Sequence, residues 1–137
     1  MAEGLTDDVL HLRLPLKPEY LNVLRTTAAV ISGTLDFNYD EIIQVRVAVA
    51  ELFDLAAQSL PRDRRPSEVD DFQVRFIPRT SGLEIVVKHP TAFLNGLGGE
   101  ENRETQALLD SLMDVVELGA EDSVVRIVKY RSCQEAQ

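Results

Sequence analysis

The residues with the clearest potential for chemistry lie in the stretch RVAVAELFDLAAQSL, residues 46–60. Glu51 places a carboxylate in a segment that otherwise has the composition of a buried helix, and Asp54 follows three residues later. A carboxylate in such a place can act as a catalytic base or contact a partner protein. It can equally be a residue at the margin of a helix, either solvated or paired with a cation such as Arg46. The stretch alone leaves both interpretations open.

A second candidate is the glycine-rich segment 88–103, KHPTAFLNGLGGEENR. Its composition fits a phosphate-binding loop, a lid or a flexible connection, because Gly96, Gly98 and Gly99 stand close together. Glycines by themselves favour the flexible connection. Gly96, Gly98 and Gly99 remain candidates for contact with a nucleotide.

Other constellations give weaker indications. His11 and His89 have no Cys, His or carboxylate at the spacing of a metal site, so we predict no metal-binding residues. No Ser-His-Asp or Cys-His arrangement can be argued from the local sequence. Arg62, Arg64 and Arg65 form either a basic contact for a phosphate or partner or, as is commoner in an acidic chain, a solvated loop.

Length and charge narrow the class of protein. A chain of 137 residues predicts a single domain over 1–137 with one core. The net charge of -9 and the pI near 4.6 argue against direct binding to nucleic acid, which requires a basic face for phosphates. An acidic protein can still cover a basic patch on a partner that itself binds DNA or RNA.

The sequence also indicates a compartment. Apolar runs are short and broken by charges, so no segment is expected to span a membrane. The start MAEGLTDDV lacks a basic region followed by an apolar core, so secretion is not expected. Cys133 has no second cysteine for an intrachain disulfide. We therefore expect the protein to be located in the cytoplasm.

The first half of the chain predicts one strand and two helices. Residues 9–16 alternate between leucine and other side chains, which predicts a half-buried strand with Pro15 at an edge position or at its end. Pro18 is predicted to stand at the first helical position, and Gly33 loosens the end of that helix. The second helix begins at Asn38, which forms a capping-box pattern with Glu41.

The second helix is expected to end near Leu60, before a polar loop. Residues 72–76 and 83–87 alternate as two strands, joined by a hairpin turn at residues 79–82. A third helix is expected from about Glu104 to Leu118, ended by Gly119, followed by a last strand over 123–131. The order β-α-α-β-β-α-β predicts an α+β two-layer sandwich, a mostly antiparallel sheet covered on one face by three helices.

Several phrases, in this order, resemble one known family. They are LRLPLKPEYLNVLR, FNYDEIIQVRVAVAEL, LEIVVK, and LLDSLMDVVEL followed by SVVRIVKYR. They resemble the anti-sigma factors and serine-protein kinases of bacterial partner-switching systems, within the GHKL (Bergerat-fold) ATPase superfamily. The resemblance extends over nearly the whole chain.

The resemblance assigns Glu51 to the glutamate of the family's N-box, which positions or activates the nucleophile. Four residues later the family has an asparagine that ligates Mg²⁺, and here Leu55 stands at that position. Leucine offers no lone pair to a cation that binds oxygen ligands. Asp54 lies one residue away, roughly 100° around the helix, and would reach a metal or nucleotide only if the helix were rotated.

The adenine-recognising box also departs from the family pattern. Its aspartate is replaced by Lys88, which cannot accept the hydrogen bond of the adenine amino group, and its two glycines by Pro90 and Ala92. Gly96 and Gly98 resemble the phosphate-loop glycines but lie too far before the next helix to open it directly. The nucleotide-binding motifs are therefore degenerate, and ATP with Mg²⁺ is expected only if the pocket still functions.

Three functions follow from these observations. The first is an anti-sigma-factor-like regulator that sequesters a sigma factor or related partner, competes with an anti-anti-sigma antagonist and forms a homodimer, as the family implies. The second is an active ATP-dependent serine protein kinase that phosphorylates such an antagonist, with Glu51 as its base. The third is an unrelated small α+β ligand-binding module whose likeness to the family is chance.

Overall fold

The computed structural model describes residues 8–58, 71–88, 103–119 and 124–132 of the chain. Within these ranges there are five strands, three α-helices and one short 3₁₀ turn. In chain order they are β1 (Leu10–Leu14), the 3₁₀ turn (Pro18–Tyr20), α1 (Leu21–Thr34), α2 (Tyr39–Gln58), β2 (Phe72–Pro78), β3 (Gly82–Lys88), α3 (Arg103–Leu112), β4 (Val115–Gly119) and β5 (Val124–Tyr130).

The five strands form one antiparallel sheet in the order β1-β2-β3-β5-β4. Its centre is aligned by apolar pairs, since Ile85 on β3 stands opposite Phe76 on β2 and opposite Ile127 on β5. The helices pack on the face that carries these side chains. The predicted α+β architecture, a mostly antiparallel sheet with three helices, is confirmed. None of the helices in the described ranges is long and apolar enough to cross a membrane.

The third helix is shorter than the sequence predicted. We expected it to reach Leu118 with Gly119 as its terminator, but α3 ends at Leu112 and Val115–Gly119 is the additional strand β4. The physical reason is the neighbouring strand β5. The backbone N–H of Asp114 donates to the carbonyl of Val128 at 2.9 Å, which redirects the chain into pairing with β5.

The core lies between α1, α2 and the helix-facing side of the sheet. Helix α2 buries both Leu52 and Phe53, and the Phe53 ring meets Phe72 of β2 edge-on with centroids 5.2 Å apart. Other fully buried side chains come from both layers, the helices and the sheet: Leu24, Val45, Phe76, Leu83, Ile85, Leu109 and Ile127. This packing fixes the rotation of α2 about its own axis.

The start of α2 is fixed by the predicted capping box. The Asn38 side-chain oxygen accepts the backbone N–H of Glu41 at 2.8 Å, and the Glu41 carboxylate accepts the backbone N–H of Asn38 at 2.8 Å. Asp36 has φ of 64°, a left-handed conformation that turns the chain sharply between α1 and α2. Local chemistry therefore sets where the helix that carries Glu51 begins.

The hairpin between β2 and β3 also forms where the sequence predicted it. The backbone N–H of Arg79 donates to the carbonyl of Gly82 at 2.8 Å, and the reciprocal bond measures 3.3 Å. Gly82 lies against the backbone of β5, because a Cβ built there would be 2.0 Å from the carbonyl oxygen of Lys129. Pro15 directly follows β1, which is an edge strand of the sheet. The prediction that this proline lies at an edge position or at the end of its strand is therefore met in both respects.

Candidate functional site

Helix α2 holds the two predicted site residues on its outward side. Glu51 is half-buried and Asp54 is exposed, whereas Leu52 and Phe53 between them point into the core. This arrangement follows from the helical period of about 100° per residue, because two residues three positions apart lie within about 60° of each other around the helix, whereas the two residues between them are turned away. The packing of Phe53 on Phe72 therefore determines which way Glu51 faces.

Glu51 and Asp54 line a shallow depression of about 290 Å³ on the outer surface of α2, beside α1. The lining combines apolar and charged side chains, and one of the latter comes from α1. It consists of Arg25 from α1 and Ile43, Arg46, Val47, Ala50, Glu51 and Asp54 from α2. Two guanidinium groups and two carboxylates thus surround three apolar side chains. Such a mixture suits contact with another protein better than enclosure of a small molecule.

Arg46 was the cation that the sequence offered as a partner for Glu51. Both side chains line the depression, yet across the described part of the chain they form no ion pair within 4.0 Å. Among the described residues, the Glu51 carboxylate is therefore not held by Arg46, the cation that the sequence offered. Within the described ranges, no group of three or more His, Cys, Asp or Glu side chains is placed to hold a metal ion.

Leu55 stands one turn after Glu51, where the family resemblance expects the asparagine that ligates Mg²⁺. Its side chain is only 6% exposed and belongs to the hydrophobic core. Asp54 does not replace the missing ligand, because it lies exposed on the outward face. The residues present therefore do not fit a magnesium-nucleotide site of the family type at this position.

The remaining predicted site residues are Gly96, Gly98 and Gly99, and they lie outside the described residues. Of the adenine-recognising box only Lys88 is described, as the exposed last residue of β3. The structure thus brings together Glu51 and Asp54. Contact of these three glycines with a nucleotide stays a prediction from the sequence.

Arg25 is the lining residue that the sequence did not indicate. It belongs to α1, and only the packing of α1 against α2 brings it to the depression. The outward positions of α2 did carry a signal, since Ile43, Val47 and Asp54 recur at helical spacing on the face away from the core.

The carboxylates with displaced pKa values lie elsewhere in the fold. Burial raises the pKa of Glu41, but hydrogen bonds from Asn38 and Ser132 outweigh it and hold the pKa below its usual range. Burial likewise raises the pKa of Glu84, and the guanidinium groups of Arg126 and Arg79 more than reverse this. These two carboxylates stabilise the fold.

The chain is similar in sequence to RsbW serine-protein kinases of several bacilli. It is 30% identical over 82 residues to the protein of Bacillus pumilus, which covers 60% of this chain and 50% of that relative. It is 35% identical over 81 residues to one from Bacillus licheniformis, covering 58% and 48%. The chain therefore spans about half the length of the relatives it matches. No protein-family model matches it.

The fold is similar to the crystal structure of the RsbU and RsbW domains of a Mycobacterium tuberculosis protein. The TM-score is 0.68, and the superposition covers 93% of this chain and 33% of that chain. Sequence identity is 14%, so this likeness concerns the fold alone.

Proposed function

We propose, from the similarity to the RsbW serine-protein kinases, that the chain is a regulator of the anti-sigma factor and serine-protein kinase family and works by binding proteins. It sequesters a sigma factor or a related partner in a partner-switching pathway in the cytoplasm. An anti-anti-sigma antagonist competes for the same surface. Its capacity to bind ATP is lost or weakened. The interpretation as an unrelated module with a chance likeness falls away.

One observation supports binding over catalysis. The position that should supply an oxygen ligand to Mg²⁺ is occupied by Leu55, which is only 6% exposed and belongs to the core. A hydrocarbon side chain there leaves the cation without one of its ligands, and Lys88 cannot accept a hydrogen bond from adenine. The chain therefore keeps the carboxylate of Glu51 but lacks the oxygen ligand for Mg²⁺ at Leu55.

The depression on α2 supports a protein partner. It presents Arg25 and Arg46 together with Glu51 and Asp54 around an apolar floor, so it offers both signs of charge within one contact surface. Charged groups of this kind set orientation and partner choice more than affinity. We therefore place part of the partner surface at this depression.

Two measurements test the proposal. Calorimetric titration with ATP and Mg²⁺ is expected to show no micromolar binding, with an RsbW serine-protein kinase from Bacillus titrated in parallel as a positive control. Pull-down from extract of the source cells, followed by mass spectrometry, is expected to recover a sigma factor or an antagonist of the family type. The variant Asp54→Lys, exposed and outside the core, should weaken that capture while circular dichroism stays unchanged.

Micromolar affinity of the unmodified chain for ATP would contradict the proposal that its capacity to bind ATP is lost or weakened. Recovery of neither a sigma factor nor an antagonist would overturn the regulatory function.

The second candidate is an active serine protein kinase, favoured by the retained Glu51 and by the activity named for the relatives. Its test is the appearance of phosphoserine on a captured antagonist after addition of ATP and Mg²⁺, read by mass spectrometry. The variant Glu51→Gln should then abolish the phosphorylation, while circular dichroism shows that the variant remains folded.

A further inference from the structure

The face of the sheet that points away from the helices carries a group of basic side chains. His11 and Arg13 of β1, Arg75 of β2 and Lys88 of β3 lie on this open face, because the alternate residues of these strands pack against the helices. All four basic side chains are exposed. We call these four residues, together with Gln73 between them, the β1–β3 basic patch.

The register of the sheet brings the members of the patch together. Gln73 stands opposite Arg13 on one side and opposite Lys88 on the other, so these two cations are two strand spacings, or about 10 Å, apart. Arg75 lies two positions after Gln73 on the same face and stands opposite His11. Three cations therefore surround one amide side chain, in a chain whose net charge is -9.

The carboxylates around the patch do not neutralise it. Arg13 donates to Asp71 at the rim, at 2.6 Å. Glu84, further along β3 on the same face, already accepts from two other guanidinium groups at 2.8 Å and 2.7 Å. Across the described part of the chain, Arg75 and Lys88 form no ion pair within 4.0 Å. Because like charges on neighbouring strands destabilise a sheet, these two cations do not serve the stability of the fold.

We propose that the β1–β3 basic patch binds an acidic segment of another protein, laid in extended form across the open face. Carboxylates at alternate positions of an extended chain are about 7 Å apart, a spacing at which they can contact Arg13, Arg75 and Lys88. A guanidinium group can hold a carboxylate through two parallel hydrogen bonds. Val86, which is partly buried and stands opposite Arg75, offers an apolar contact to a side chain between the carboxylates.

The charge distribution favours a short acidic segment over other occupants. A nucleic acid would extend beyond the patch and bring its phosphates close to Glu84 and Glu117 on the same face of an acidic chain. A second copy docked about a two-fold axis would set the cations of the patch against each other. The carboxylates of a short segment complement the patch without either repulsion.

This surface is separate from the depression that holds Glu51. The depression lies on α1 and α2, in the helical layer, whereas the patch lies on the opposite face of the sheet. The proposed function is tested by ATP titration and by captured partners, and the patch is tested with a defined peptide. Failure of either proposal would leave the other standing.

The test measures, by fluorescence anisotropy at low ionic strength, the affinity for a fluorescein-labelled peptide in which glutamates flank a single leucine. Arg75→Gln removes one positive charge from the patch and should weaken binding about tenfold. Lys17→Gln removes the same charge from the exposed connection that follows β1, and it should weaken binding less than about twofold. Arg75→Lys keeps the charge but not the planar fork, so it should recover part of the affinity.

Circular dichroism and thermal melting establish that each variant is folded. Position 75 tolerates glutamine, because it is exposed and Gln73 already occupies the same face of β2. The same peptide with glutamine in place of glutamate should not bind. Failure of the native protein to bind the acidic peptide would overturn the proposal, and so would equal losses of affinity in Arg75→Gln and Lys17→Gln. Tighter binding of labelled oligothymidylate than of the acidic peptide, weakened by Arg75→Gln, would overturn it in favour of nucleic acid.

Discussion

Ser132 and Glu41 lie 91 residues apart in sequence and are joined by a hydrogen bond. The backbone N–H of Ser132 donates to Oε2 of Glu41 at 2.8 Å. The other carboxylate oxygen, Oε1, accepts the backbone N–H of Asn38 at 2.8 Å. Glu41, which is 7% exposed, therefore ties the beginning of α2 to the end of β5. The capping residue of the helix that carries Glu51 is also a tertiary contact.

Stability should depend on pH through Glu41. Burial raises its pKa, but hydrogen bonds from Asn38 and Ser132 and the charge of Lys129 lower it more, so the folded value lies below 4.5. The contribution is present above the unfolded-state pKa and is lost as pH falls through the folded one. Glu41→Gln, which keeps one acceptor oxygen, should lower the free energy of unfolding by about 1–2 kcal/mol at neutral pH. Urea unfolding measures this.

The control for that prediction is Asp40→Asn, a change of the same kind in the same helical turn at an exposed side chain. The difference between Glu41→Gln and the native protein should shrink as the pH falls through the lowered pKa of Glu41 in the folded state, because the native carboxylate then also becomes protonated. A difference that stayed constant with pH would show that the carboxylate charge plays no part.

Glu84 should contribute more to stability than Glu117, although both pair with Arg126. The Glu84 side chain is 13% exposed and accepts from Arg79 at 2.8 Å and from Arg126 at 2.7 Å. Its removal as Glu84→Gln should lower the free energy of unfolding by about 1–2 kcal/mol, less in high salt. Glu117 is 61% exposed, so Glu117→Gln should change it by under about 0.5 kcal/mol. Equal effects of the two would contradict this ranking.

The local features of the fold were predictable because their causes lie within a few residues. The capping box needs only Asn38 and Glu41, and the hairpin needs only residues 79–82. The strand β4 was missed for the opposite reason. Val115 continues the helical spacing of Leu108 and Leu112, and only pairing with β5, the next strand along the chain, makes it part of a strand.

Some features of the candidate site could likewise be predicted from the sequence, and others could not. The sequence allowed Glu51 to be either a chemical group or a residue at the margin of the helix, and the replacement at Leu55 was evident in the sequence. That Leu55 is buried in the core, and that Arg25 joins the depression, depends on how α1 and α2 pack on the sheet. Packing of this kind is set by many distant contacts at once.

Gly82 and Gly33 should respond in opposite directions to the same substitution. A Cβ at Gly82 would lie 2.0 Å from the backbone oxygen of Lys129, so Gly82→Ala forces β3 and β5 apart. We expect it to lower the free energy of unfolding by roughly 2 kcal/mol or more. At Gly33, inside α1, nothing lies within 4 Å of an added Cβ. Gly33→Ala should raise the free energy of unfolding by about 0.5–1 kcal/mol. Thermal melting of both variants measures the contrast.

Glu51 of α2 should contribute little to the stability of the fold, in contrast to Leu55 one turn later. Leu55 is 6% exposed within the core, so Leu55→Ala should lower the free energy of unfolding by about 2–4 kcal/mol. Glu51 is half-buried and lines the depression, so Glu51→Gln should change it by under about 0.5 kcal/mol. Urea unfolding of the two variants gives both values. A comparable loss in Glu51→Gln would mean that the carboxylate is structural and would remove its role in binding a partner or in catalysis.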